Sequence, residues 1–213
     1  MLKIKLFTFN VFSENTIIIW DDKSGDAAIV DPGTSSSTEE NELLSFISSK
    51  DLRIKYLINT HCHIDHILGC SFVKEKFNPV YYAPELDLPL LDNAQQQAQM
   101  FDLDIDQPPI PDKLITEQTE IMIGESKLQF LFTPGHTPGE FCIYIGEEKI
   151  CITGDVLFKE SIGRTDLWGG NYETLLNSIH EKLFLLPDDV VIYPGHGEPS
   201  TIGYEKQNNP FLV

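Results

Sequence analysis

Four loops of this chain share one layout: a short apolar run ends, and a histidine or aspartate follows close to a glycine. Tyr56–Asn59 runs into T-H-C-H-I-D-H, which holds His61, His63, Asp65 and His66. Leu128–Phe132 leads to His136 in T-P-G-H-T-P-G, Lys149–Thr153 to Asp155 in T-G-D, and Val190–Tyr193 to His196 in P-G-H-G. Glycine lets the backbone turn sharply at such exits. If the strands run in compatible directions, all four loops meet at one sheet edge, where α/β folds place their chemistry. Five of the six histidines stand in these loops. The sixth, His180, lies beside an apolar helical stripe and reads as solvent-facing, without a role. A lone histidine is more often a satisfied structural residue than a ligand. Five at strand ends, with two aspartates, are not explained that way.

The spacing within the first cluster sets its geometry. His61 and His63 are two apart, so along extended backbone both imidazoles point the same way, and Asp65 keeps that parity. His66 falls on the other side of a tightening turn. One tetrahedral ion cannot use all of these donors, but two can. Seven ligands, with one carboxylate shared, fit two ions about 3.5–4 Å apart. Imidazole and carboxylate without thiolate suit zinc, iron or manganese; we expect two divalent metal ions, zinc first. Cys62 sits between two of these ligands, but its parity turns it away. The four cysteines, Cys62, Cys70, Cys142 and Cys151, show no C-x-x-C spacing, so no disulfides are expected. Cys142 and Cys151 alternate with apolar residues and read as core.

With 213 residues the chain can bury a sizeable core, and we expect a single domain over residues 1–213. No apolar run approaches the length of a membrane span. The opening M-L-K-I-K-L-F-T-F-N alternates like an edge strand, and no small-residue cleavage site follows; a cytoplasmic protein is the expectation. The net charge of −18, from 33 acids and 15 bases, repels phosphate backbones and argues against nucleic acid or a membrane as partner. Strands are expected at Ile4–Phe9, Thr16–Trp20, Ala27–Val30, Tyr56–Asn59, Val80–Ala83, two within Ile121–Phe132, and Phe141–Ile145 paired with Lys149–Thr153 across G-E-E. Val190–Tyr193 is the last. Ser37 and Glu40 resemble a capping box opening a helix that buries Leu43, Leu44 and Ile47. A helix followed by an extended loop is expected across Asp87–Pro111. Tyr172, Leu175, Leu176, Ile179 and Leu183 repeat with helical period.

The set H-x-H-x-D-H, followed by a separate His, Asp and His, resembles the metallo-β-lactamase superfamily over nearly the whole chain, from Phe7 to Leu212. The resemblance implies an α/β fold, the αββα sandwich of two mixed β-sheets flanked by helices, with metals at the shared sheet edge. It implies that His61, His63 and His136 hold a first metal, that Asp65, His66 and His196 hold a second, and that Asp155 bridges them. Asp31, in V-D-P-G, matches an acid that supports such sites from behind the ligands; a turn residue before proline is the alternative. Ser161–Asn171, S-I-G-R-T-D-L-W-G-G-N, is similar to a segment of short type II glyoxalases (hydroxyacylglutathione hydrolases) and of persulfide dioxygenases. The ending T-I-G-Y-E-K-Q-N-N-P-F-L is similar to the short glyoxalase form. Longer type II glyoxalases add a helical C-terminal domain with glutathione contacts, which is not found here, so the thiol carrier stays open. Other branches fit less well: some β-lactamases have Cys where Asp155 stands, flavodiiron proteins have Glu where His63 stands, and the nucleases bring extra domains or basic exosites.

These features lead us to expect a hydrolase acting on a small-molecule thioester. The ions would lower the pKa of a bound water to roughly 7. The resulting metal-bridging hydroxide would attack the carbonyl, with Asp65 and Asp155 as the catalytic carboxylates and a metal stabilising the oxyanion. A thiol pKa of about 8.5 lets the thiolate leave without a general acid. Arg164 either grips a substrate carboxylate or, with Asp166, braces its loop. Tyr81, Tyr82 and Trp168 either line the pocket or serve core and surface. The rivals are a mononuclear iron persulfide dioxygenase, a hydrolase of lactones or other esters, and a regulatory or structural metal-binding domain. The last has no use for open coordination positions.

Overall fold

The β-branched run Thr16–Ile19 favours extended backbone, and in the computed structural model, which describes every residue except Asp104, it forms the middle of a fully buried strand. Strand β1 (Leu2–Phe9) pairs antiparallel with that strand, β2 (Glu14–Asp21), and β2 with β3 (Asp26–Val30). Helix α1 (Ser37–Ser49) then returns the chain to β4 (Arg53–Ile58), which lies parallel to β3. After β4 come α2 (Ile64–Ile67) and α3 (Cys70–Phe77), then β5 (Val80–Pro84), parallel to β4. Short helices α4 (Leu88–Asp92) and α5 (Ala94–Gln99) precede β6 (Lys113–Ile115), parallel to β5. The six strands form one sheet in sequence order, with β1 at its edge as the lysine alternation implies. This sheet belongs to the first of two compact units, residues 1–115 with 122–126.

Its packing follows from helix periodicity. Leu43 and Ile47 of α1 and Val73 of α3 are buried in one cluster with Ile29 and Leu57 of the sheet. Because α1 and α3 carry the chain back between parallel strands, β3, β4 and β5 all finish on one edge. Asp31 leaves the end of β3 there, and the histidine cluster leaves the end of β4.

Residues 116–121 and 127–213 make the second unit. Strand β7 (Ile121–Ile123) and β8 (Ser126–Phe132) are followed by β9 (Phe141–Ile145) and β10 (Ile150–Gly154). A two-residue pair, β11 (Leu157–Phe158) and β12 (Ser161–Ile162), leads to α6 (Tyr172–Glu181). The chain ends with β13 (Val191–Pro194), β14 (Ser200–Thr201) and α7 (Ile202–Asn208). The sheet order is β14-β13-β10-β9-β8-β7. Strand β8 is antiparallel to β9, β9 antiparallel to β10, and β10 parallel to β13. Strands β8, β10 and β13 therefore point the same way and release His136, Asp155 and His196 at one edge. Leu175 and Ile179 of α6 pack with Cys142, Cys151 and Ile192 beneath that sheet.

Several expectations shift in detail. The cap of α1 is Ser36, not Ser37, and it accepts from the Glu39 amide. Glu39 in turn accepts from the Ser35 and Asn10 amides, which moves the start by one residue. Leu44 is only half-buried. The expected helix after Asp87 is two short ones, and the following loop is described apart from Asp104. Asn59 lies outside β4. Among the described residues no helix is long and apolar enough to cross a membrane. All four cysteines are free and buried, and His180 is exposed.

Leu175 is fully buried and Leu185 is 78% exposed. Leu175→Ala is expected to cost about 2–5 kcal/mol in urea denaturation, and Leu185→Ala less than about 0.5. Equal costs would contradict this packing.

Candidate metal centre

In the first unit the cluster follows β4 as Asn59, Thr60 and then the ligand turn. Asp31 has φ +49 and leaves β3 beside it. Its Oδ1 accepts from the Thr60 amide at 2.7 Å, and its Oδ2 accepts from the Thr60 hydroxyl at 2.6 Å. The Thr60 hydroxyl, having given its proton to Asp31, accepts from His61 Nδ1 at 3.1 Å. That bond fixes the tautomer and puts the lone pair of His61 on Nε2. Asp31 Oδ2 also lies 3.2 Å from His66 Nδ1, and Asp31, His61 and His66 bring donor atoms within 4.8 Å of one another. Asp31 therefore acts behind the histidines rather than merely filling a turn. The rings of His61 and His66 are 4.1 Å apart, and those of His61 and His63 are 5.0 Å apart. Asp65 Oδ2 stands 3.7 Å from His66 Nε2.

Residues that the sequence reading passed over hold this turn. Asn59 donates to Asp31 Oδ1 and to the His66 carbonyl, and accepts from Tyr81 and Cys70. Tyr81 thus belongs to a buried network, not to a pocket wall; Tyr82 is buried too. Asn10 donates to the carbonyls of Gly33 and Asp65. Asp87, fully buried, accepts from the Cys62 amide. Cys62 packs in the apolar core, as its parity implies, and burial pushes its thiol well above the usual range. Glu14 is fully buried; its Oε2 accepts from Thr16, whose hydroxyl accepts in turn from the Gly33 amide.

In the second unit His136, Asp155 and His196 follow β8, β10 and β13. The carbonyl of Arg164 accepts from His136 Nδ1 at 2.7 Å, which again leaves the lone pair on Nε2. Asp155 Oδ2 lies 3.5 Å from His136 Nε2 and 3.7 Å from His196 Nε2. Such gaps are long for hydrogen bonds. The first falls within, and the second just beyond, the spacing of neighbouring ligands around one ion, since bonds of about 2.0–2.2 Å at tetrahedral angles put ligand atoms about 3.2–3.6 Å apart. The donor atoms of this unit thus fit a metal by type and by distance.

The segment after Asp155 is packed against it. A Cβ on Gly163 would stand 1.8 Å from the Asp155 carbonyl oxygen and 3.2 Å from His136 Cβ. Arg164 turns its guanidinium onto Asp166 with two bonds of 2.7 and 2.8 Å. That pairing holds the Asp166 carboxyl down at about 2, and it favours bracing over a grip on substrate. Trp168 is 57% exposed. Glu140 was missed: it is fully buried, and its Oε1 accepts from the Asp155 amide at 2.7 Å. The one sequence signal was an acid set directly against the apolar run F-C-I-Y-I.

Comparison with known proteins adds family evidence. The metallo-beta-lactamase superfamily matches residues 9–196. Hydroxyacylglutathione hydrolase GloC of Haemophilus influenzae is 39% identical over 99% of this chain and 98% of its own. Among solved structures, BLEG-1 B3 metallo-beta-lactamase superposes with a TM-score of 0.90 at 32% identity, covering 99% of this chain and 100% of that one. TTHA1623 in a di-iron-bound form gives 0.87 at 32% identity, covering 98% and 100%. The fold is the αββα type expected from the sequence.

Two substitutions probe the supports. Gly163→Ala forces a methyl against backbone, and a cost of about 1–3 kcal/mol is expected in urea denaturation; an unchanged midpoint would mean that the segment yields freely. Burial holds the Glu14 carboxyl well above the ordinary glutamate value of 4.5, with His66 opposing and Asp31 and Asp65 adding. Folded chains thus keep a proton that unfolded chains release. The contribution is neutral below pH 4.5 and turns unfavourable as pH rises above it. In metal-free protein, Glu14→Gln should gain stability over its parent as pH rises above about 4.5; parallel stability curves would refute the buried neutral acid.

Proposed function

Because the chain belongs to the metallo-β-lactamase superfamily, we propose that it hydrolyses a thioester of the hydroxyacylglutathione type at a centre of two divalent metal ions. Family membership makes it a metallo-hydrolase; the thioester and the ion pair are the finer assignment. His61, His63 and His136 would hold one ion, Asp65, His66 and His196 the other, with Asp155 shared. The observation that carries this is the tethering of Nδ1 on His61 and His136, which leaves Nε2 of each ring to serve as donor. The relative named for hydroxyacylglutathione hydrolysis supports the substrate class, since it aligns along essentially the whole chain. The di-iron form of a structural neighbour supports a pair of ions and keeps iron beside zinc and manganese.

Bound ions would supply a water activated near neutral pH and a Lewis acid for the thioester carbonyl. The chain supplies position. Asp155, whose Oδ2 lies 3.5 Å from His136 Nε2 and 3.7 Å from His196 Nε2, would orient the attacking water, and Asp65 would share that role. Neither has to protonate the departing thiolate, because a thiol of pKa about 8.5 leaves as an anion. Arg164 and Asp166, locked to each other, keep the segment after Asp155 in place.

Turnover of lactoylglutathione by purified protein, with metal content measured alongside, tests the assignment. Thioester cleavage with about two metals per chain is expected. Asp155→Asn should lower metal content and turnover together, by roughly 10-fold or more. No cleavage at any metal loading would remove the glutathione thioester. One iron per chain, with oxygen consumed on a glutathione persulfide, would put a dioxygenase in its place.

A further inference from the structure

The sheet ladder of β10 ends at Gly154, with a register shift against β13 just before it. The next residue is Asp155, whose amide is buried and must find an acceptor outside the ladder. It finds Glu140 Oε1 at 2.7 Å, a short and well-formed N–H···O bond. Glu140 is fully buried at the mouth of β9, immediately before Phe141. Its own backbone is also fixed: the Glu140 carbonyl accepts from the Thr133 amide at 2.9 Å, and the Thr133 hydroxyl accepts from the Cys142 amide at 3.1 Å. Thr133 is the first residue after β8, on the path to His136. One buried residue therefore links the two exits, its carbonyl holding the one that leads to His136 and its side chain the one that presents Asp155.

We propose that Glu140 is the positioning residue for Asp155: by tying down the Asp155 amide it sets the direction in which the Asp155 carboxylate points, and so the metal affinity of the centre. This rests on the assignment of Asp155 as a shared ligand. Glu140 need not touch metal or substrate. A backbone amide with no acceptor would let the Gly154–Asp155 peptide rotate, and a carboxylate displaced by a fraction of an ångström no longer serves two ions. An acceptor oxygen at the right reach is all that the role requires, so an amide can replace the acid and a shorter acid cannot.

The test is zinc binding by metal-free full-length protein, read by competition with a chromogenic chelator, with circular dichroism on each variant to establish folding. Glu140→Ala should weaken zinc binding by about 10–100-fold. Glu140→Gln, which keeps an oxygen at the same reach, should bind like the parent. Glu140→Asp, which keeps the carboxyl group but withdraws it by one methylene, should bind weakly like Glu140→Ala. If the alanine variant fails to fold, the glutamine and aspartate pair decides alone. Parent-like affinity in Glu140→Ala or Glu140→Asp would overturn the inference, and so would a loss in folded Glu140→Gln as large as that in Glu140→Asp. A parent protein that binds no zinc would take down the ligand assignment itself, a result plainly different from any ranking of the variants.

Discussion

Whether an imidazole can serve a metal is settled at the nitrogen that faces away from it. A histidine ring has two tautomers and a free torsion, and a site gains nothing from a ring that spends its time in the wrong one. Here the Thr60 hydroxyl accepts a hydrogen bond from His61 Nδ1 and the Arg164 carbonyl accepts one from His136 Nδ1. Thr60 is fixed in turn by Asp31 through two short bonds. The supports are a buried hydroxyl, a buried carboxylate and a backbone carbonyl, none of which can swing out into water. Much of the surrounding polar architecture, from Asn59 and Tyr81 to Asn10, holds the Asp31 support and the backbone of the ligand turn.

Burial makes the arrangement costly in one respect. The buried polar residues include seven acids, Glu14, Asp21, Asp31, Asp87, Glu140, Asp155 and Glu205, and no lysine or arginine among the described residues. A buried carboxylate is destabilising unless it is neutralised, hydrogen-bonded or matched by a cation. Glu14 takes the first route, and Asp21 takes the second, through the Ser24 amide. On the proposed assignment Asp155 takes the third, with divalent ions supplying the positive charge that the interior otherwise lacks. The surface excess of acids is a separate matter and bears on solubility and on the exclusion of polyanions.

What the sequence made legible was whatever repeats or alternates. Strands flanked by turn residues could be read because β-branched runs and glycines are local signals, and the ligands could be read because each follows such a run. The direction of β8, β10 and β13 could not be read, and it is direction that brings three loops to one edge. Segments of two or three residues, such as β6, β11, β12 and β14, carry too few positions to show a period. Glu14 and Glu140 were passed over for a different reason. A single acid in a polar context looks solvated, and only the three-dimensional path of β9 beside β10 makes Glu140 an acceptor for a residue fifteen positions away. The cap of α1 was misplaced by one because Ser36 and Ser37 are equivalent on paper; the bonds that Glu39 makes to Ser35 and Asn10 choose between them.

The stretch Ser161–Asn171 has one end it cannot give up and one it can. At position 163 there is no space for even a methyl group beside the Asp155 carbonyl, whereas Leu167 and Trp168 are exposed. A randomised library across this stretch would therefore be filtered unevenly, with survivors keeping the inner glycine and diversifying at the outer two positions. Evolution works under the same filter, so the rim is where a new leaving group or acyl chain could be accommodated while the scaffold beneath stays unchanged.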